Sequence, residues 1–174
     1  SMRDYTKNLL EECPDELLMG GVAASSAGNH IFNVNPKAPK LNEEKAEIFH
    51  HLVAKLLYLS KRTRPDIQLP VAFLTTRVRE PDIDDWKKLG RCLCYLKDNR
   101  DLDLTLEIKL PIIIRWWIDA AYGVHRDCKS HTGAAMSLGK GCPINGSRKQ
   151  RINTRSSTEA ELVGVNDYMT MVLW

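Results

Sequence analysis

The hydrophobic rhythm of this chain changes once, near residue 100, and the change limits it to a fold with helices first and strands after. Before that point, apolar residues recur every three or four positions. Asn42 is a good N-cap, Glu43 and Glu44 suit a first helical turn, and Ala46, Phe49, Leu52, Val53, Leu56 and Leu57 make one apolar face. Arg64-Pro65-Asp66 breaks this helix, since proline disfavours helix at the residue before it. A shorter helix is predicted over residues 67–78, with Pro70 early in it. Asp82 caps a third, with Asp84 and Asp85 beside its positive end and Trp86, Leu89, Leu93 and Leu96 on one side. Phe49, Leu56, Leu57, Trp86, Leu89 and Leu93 are expected to lie buried together in a bundle over residues 42–98. Upstream, residues 3–12 suit a short helix. Residues 20–41, rich in Gly, Ser and Pro, read as an extended connector or a flexible arm.

After the change, Leu102, Leu104, Leu106 and Ile108 alternate with polar residues, the period of a half-buried edge strand. Residues 111–119 read as a buried strand, and residues 132–138 and 143–152 as two more. Ser156 and Glu159 match a capping box opening a helix, with Leu162, Val165, Met169 and Val172 as its core stripe. The fold class is therefore α+β, a helical bundle followed by a β-β-β-α module.

Bulk properties exclude several classes. The apolar and charged fractions, 43% and 27%, are those of a soluble globular protein. The apolar runs are too short to span a membrane, and no secretory leader is visible. Ser1-Met2 reads as a cloning remnant. The five cysteines include no Cys-x-x-Cys pair, so a reducing, cytoplasmic or nuclear setting is expected over a disulfide framework. The net charge of +3 falls entirely in residues 111–174, which carry 8 Lys/Arg against 5 Asp/Glu. A mildly basic C-terminal module permits a phosphate-rich partner.

Two carboxylates stand out. Asp119 ends the apolar run from Ile112, and Glu161 lies just inside the helix opened by Ser156. A carboxylate in an apolar setting is costly unless paired or metal-bound. Two from separate elements can hold a magnesium ion over a phosphate. The plainer readings are a strand-ending, turn-starting aspartate and a surface glutamate at the rim of a stripe. Glu159 instead suits the capping role. Arg148, Lys149 and Arg151, followed by Arg155, form the densest basic run, suited to a phosphate backbone or to a solvated strand face. His125, Cys128, His131 and Cys142 raise zinc, but their spacing lacks a close cysteine pair and reads as a polar turn.

Phe49 through Arg64-Pro65-Asp66-Ile67, then Trp86-Lys87-Lys88-Leu89 and Tyr95-Leu96-Lys97, resemble the segment after the polymerase core of copia-type retrotransposon polyproteins. Trp117-Ile118-Asp119-Ala120, Lys129-Ser130-His131-Thr132-Gly133 and Ser156-Ser157-Thr158-Glu159-Ala160-Glu161-Leu162 resemble the opening of their ribonuclease H domain. After an N-terminal helix and irregular connector at 3–41, the resemblance implies a thumb-like helical region with an edge strand at 42–109 that contacts the primer–template duplex, and the N-terminal half of a ribonuclease H-like domain at 110–174. It implies Asp119 and Glu161 as catalytic, magnesium-binding carboxylates and an RNA–DNA hybrid as partner. No Tyr-x-Asp-Asp polymerase motif is present. The family's third carboxylate, in an Asp-Asn-Gln segment, has no counterpart here, since Asp127 lies in a turn and Asp167 on a far helical face. The expectation is thus a truncated module, weak or inactive alone, with an open edge at 111–119. Another chain, or residues 20–41, should cover that edge. The competing expectation is a domesticated, non-catalytic module that oligomerises through it.

Overall fold

The computed structural model describes residues 1–173. They form two compact units, residues 1–103 and the residues from Leu104 onward. The fold is mixed α+β: helices, then small antiparallel sheets, then a C-terminal helix.

In the first unit, α1 (Met2–Glu11) is closed by a capping box from Ser1 and Asp4, and α2 (Asp15–Leu18) follows it. Residues 19–41 are irregular, as their composition dictates. Asn42 caps α3 (Glu43–Arg62) by accepting the Lys45 amide at 3.0 Å. At Arg64-Pro65 the chain breaks into a 3-10 turn (Pro65–Ile67) and resumes as α4 (Gln68–Thr75), three residues short of the expected end. Asp82 and Asp85 cap each other's amides at the start of α5 (Ile83–Asp98). The apolar faces meet as expected: Phe49, Leu56, Leu89 and Leu93 are fully buried, and Trp86 nearly so. Leu57 is the correction. It is 38% exposed, because it lies one step beyond Leu56 and turns off the buried stripe.

The buried acids at the α5 cap are held by one cation. Arg77 donates to Asp85 at 2.9 Å and to Asp82 at 3.1 Å, and both carboxylates are almost completely enclosed. Burial raises the Asp85 pKa despite the Asp82 amide and Arg77 hydrogen bonds that oppose it. Removing the guanidinium would leave two enclosed carboxylates without the cation that hydrogen-bonds both. Arg77→Ala should therefore cost the helical unit about 3 kcal/mol, the range for breaking a buried pair from one side. Urea unfolding followed by circular dichroism measures this, and a loss under about 0.5 kcal/mol, the usual size for a surface substitution, would refute it.

The second unit carries β1 (Glu107–Ile108), β2 (Arg115–Ala121), β3 (His131–Ser137), β4 (Gly139–Lys140), β5 (Ile144–Lys149) and α6 (Ser157–Leu173). Among the described residues, β1 pairs only with β4. β2, β3 and β5 form an antiparallel sheet in that order, with Asp119 opposite Gly133 and Gly133 opposite Ser147. The expected strand over 102–109 shrinks to two residues, and the strand at 111–119 begins only at Arg115. That strand is also not buried. Trp117 is 54% exposed because it lies on the face of β2 opposite the Ala120 face that α6 covers, and Ile112 and Ile114, 61% and 62% exposed, precede the strand.

The face of α6 is the second correction. Leu162, Val165, Met169 and Val172 are exposed, and the helix buries Ala160, Gly164 and Tyr168. Small residues won because they let the helix approach the sheet closely. A Cβ on Gly164 would sit 3.2 Å from Thr132 Cγ2 and 3.6 Å from the Ala120 Cβ. One turn on, the Tyr168 ring fills the space over Gly146, where a Cβ would collide with the phenol, and Arg148 stacks on that ring at 4.5 Å.

Candidate functional site

Asp119 and Glu161 are brought together at one backbone group. The Ala120 amide donates to Asp119 Oδ1 at 3.0 Å and to Glu161 Oε1 at 3.3 Å. Side chains alternate along a strand, so Asp119 and Ala120 root on opposite faces of β2, and α6 packs on the Ala120 face. Asp119 folds back along its own strand while Glu161 reaches over from the helix. Gly133, across the ladder from Asp119, leaves open space where a side chain would stand. Asp119 is exposed and Glu161 is half-buried, so the pair is accessible to a ligand.

Glu159 takes the structural role. It accepts the Arg155 amide, while its own amide donates to Ser156 Oγ at 3.2 Å. The cap therefore closes one residue earlier on the glutamate side than the sequence suggested. Asp167 is engaged elsewhere, 3.4 Å from Arg148 Nε.

Those contacts divide the basic run. Arg148 pairs with Asp167 and stacks on Tyr168, and Lys149 pairs with Asp127 at 2.7 Å. Arg151 and Arg155 are exposed and carry no ion pair among the described residues. Two of the four cations are thus committed to internal pairs, and Arg151 and Arg155 are not.

The turn joining β2 to β3 is built on buried polar groups. Ser130 Oγ accepts the Gly123 amide at 3.1 Å and meets Thr154 Oγ1 at 3.1 Å, tying the turn to the approach of α6. His125 Nε2 and His131 Nδ1 share a hydrogen bond at 3.0 Å, and His131 Nε2 meets Ser147 Oγ at 2.7 Å. Burial, then the Lys149 charge, pushes His125 down to about 4, and burial, then His125, pushes His131 down to about 4. The sequence raises zinc for these histidines but favours a polar turn, and it carries no signal for the hydrogen bond between the two rings. Among the described residues, no group of three or more His, Cys, Asp or Glu is arranged to hold a metal ion.

The fit to magnesium is therefore that of a two-carboxylate site. Magnesium keeps several waters and binds through one or two carboxylates plus substrate phosphate, which suits Asp119 and Glu161. It does not suit a two-metal centre, which needs more oxygen donors than this pair supplies. The Ala120 amide, the point on which both acids converge, had no signal in the sequence because it is a backbone group.

A putative transposon Ty5-1 protein of Saccharomyces cerevisiae is 29% identical to this chain over 121 residues, which are 68% of this chain and 39% of that protein. The retrovirus-related Pol polyprotein from transposon RE2 of Arabidopsis thaliana is 33% identical over 128 residues, 72% of this chain and 9% of the polyprotein. The secreted RxLR effector protein 161 of Plasmopara viticola is 28% identical over 123 residues, 70% of this chain and 87% of the effector. The chain thus spans less than half the length of either transposon relative. No protein-family model matches it, and no solved structure is similar enough to count as a match. No helix among the described residues is long and apolar enough to cross a membrane.

Proposed function

Because the chain is a distant homologue of Ty5- and copia-type retrotransposon Pol polyproteins over 68% to 72% of its length, we propose that it carries part of a reverse transcriptase and ribonuclease H region that engages an RNA–DNA hybrid. The observation that carries this reading is the convergence of Asp119 and Glu161 on the Ala120 amide. In this reading the second unit is ribonuclease H-like and the first is thumb-like, lying against template and primer. Asp119 and Glu161 hold one magnesium ion, and Arg151 and Arg155 attract the phosphates beside it. The bound ion would supply positive charge against a phosphate oxygen and acidify a bound water. The residues' own work is to orient that oxygen over the open position left by Gly133.

Hybrid binding tests the reading. Its affinity should fall linearly with the logarithm of salt, and Arg151→Ala with Arg155→Ala should lower the slope by about 1 per charge removed. Asp119→Asn should abolish magnesium-dependent shifts in the amide spectrum of Ala120. Equal binding of the hybrid by wild type and the double variant would sink the phosphate assignment.

The exposure of β2 favours a second reading, a non-catalytic module that associates through this edge. Ile112 and Ile114 just before β2 and Trp117 within it present apolar surface beside an edge that no strand among the described residues pairs, which suits strand addition from another copy. Light scattering separates the two. A stable dimer indifferent to nucleic acid supports the second, and a monomer that binds hybrid supports the first.

A further inference from the structure

A cavity of 350 Å³ lies in the helical unit between residues 26–31 and the outer side of α5, and its charged lining is Lys87, Lys88 and Arg91, with no carboxylate. A neighbouring cavity of 290 Å³ shares Lys87 and Arg91 with it. The volume is that of a small-ligand site, and the spacing on α5 sets the charge pattern. Positions 87 and 91 are one helical turn apart and face the same way, with Lys88 beside them.

The three cations are not equally engaged. Lys87 pairs with Asp84 at 3.3 Å on the exposed surface. Lys88 donates to the Asn33 carbonyl and lies over the Phe73 ring at 4.4 Å, and burial lowers its pKa even though Asp85, Asp82 and Asp84 oppose that effect. Arg91 donates to Ser25 Oγ at 3.2 Å and has no carboxylate partner among the described residues. A guanidinium without a counter-ion, next to a half-buried ammonium, calls for an anion with several oxygen atoms. Arginine's planar fork matches a phosphate in two hydrogen bonds.

We propose that this cavity binds a phosphate group, with Arg91 as its forked contact and Lys87 and Lys88 as flanking charges. The group can belong to a small phosphorylated molecule or to a polynucleotide, and the chemistry of the wall is the same for both. The site is independent of the carboxylate pair and does not rest on the reading proposed for it.

Gly28 offers a way to close the cavity without touching its charge. Its backbone is not in the left-handed region, and a Cβ there would sit 4.0 Å from Arg91 Nε, in ordinary contact. The test is calorimetric titration of the full chain with sodium pyrophosphate in magnesium-free buffer at fixed ionic strength. Wild type should bind saturably at one site. Arg91→Ala should weaken binding at least tenfold, and Gly28→Val should weaken it comparably with all charges kept. Lys87→Ala, at an exposed position, should weaken it several-fold and keeps the test open if Gly28→Val does not fold by circular dichroism. A single-stranded oligonucleotide that displaces pyrophosphate identifies a polymer's phosphate, and one that does not identifies a small ligand. Absence of saturable binding by the folded wild type would overturn the proposal. So would binding that Arg91→Ala weakens but a folded Gly28→Val leaves intact, since that is diffuse surface attraction.

Discussion

An RNA–DNA hybrid incubated with a polypeptide of residues 1–174 in magnesium or manganese should remain uncut. Cleavage requires oxygen donors that place charge at both the attacking and the leaving oxygen. The described residues bring two carboxylates to the Ala120 amide, and no larger set of metal-ligating side chains assembles anywhere among them. One ion held by Asp119 and Glu161 beside a phosphate is the most this arrangement supports. Supplying a strand with a further aspartate beside the open edge of β2 should therefore raise cleavage from background by several orders of magnitude, on the order of what correctly placed charge contributes. Asp119→Asn in that extended polypeptide should return it to background. The readout is a gel of end-labelled hybrid. Robust cleavage by residues 1–174, lost in Asp119→Asn, would show that two carboxylates suffice.

Acid should loosen the second unit well before it loosens the first. His125 and His131 are buried as neutral, hydrogen-bonded rings, and both folded-state values are pushed down to about 4, first by burial, then by Lys149 for one and by His125 for the other. An unfolded imidazole titrates near 6.5. Between those limits the unfolded chain binds more protons than the folded one, so stability falls as pH drops from about 6.5 to about 4 and levels off below that. A tenfold change in proton affinity is worth about 1.4 kcal/mol, so each ring of the pair can withdraw on the order of 3 kcal/mol across the window. Thermal unfolding at pH 7 and pH 4.5 measures it. His131→Gln should shallow the dependence, a comparison that cancels the carboxylates common to both proteins. Equal slopes in the two proteins would show that the histidine pair is not the cause.

The parts of this fold that sequence made legible are local. Asn42, Asp82 and Ser156 cap helices because a side-chain oxygen lies within three residues of the amide it accepts, and no distant contact can change that. The three strands expected before the last helix are likewise found as β2, β3 and β5, although the short β4 intervenes between the last two. What failed depended on distant partners. The apolar stripe through Leu162 and Val165 was a sound hydrophobic pattern, yet the sheet accepted the small face at Ala160 and Gly164 because close approach outweighed the larger side chains. The basic run looked like one strip, but Asp167 and Asp127 claimed Arg148 and Lys149. The Asp119–Glu161 pairing was anticipated from setting and resemblance together, and neither periodicity nor spacing alone separated Glu161 from a surface glutamate.

The phenol of Tyr168 over Gly146 makes these two positions heritable only as a pair. Any side chain at position 146 must enter space already taken by the ring, and the ring in turn carries Arg148. A descendant of this chain can acquire bulk at position 146 only along a route that first shrinks position 168. In that order of events the arginine loses its platform and keeps only its hold on Asp167, so drift at one small residue sets how firmly that cation is anchored to the strand.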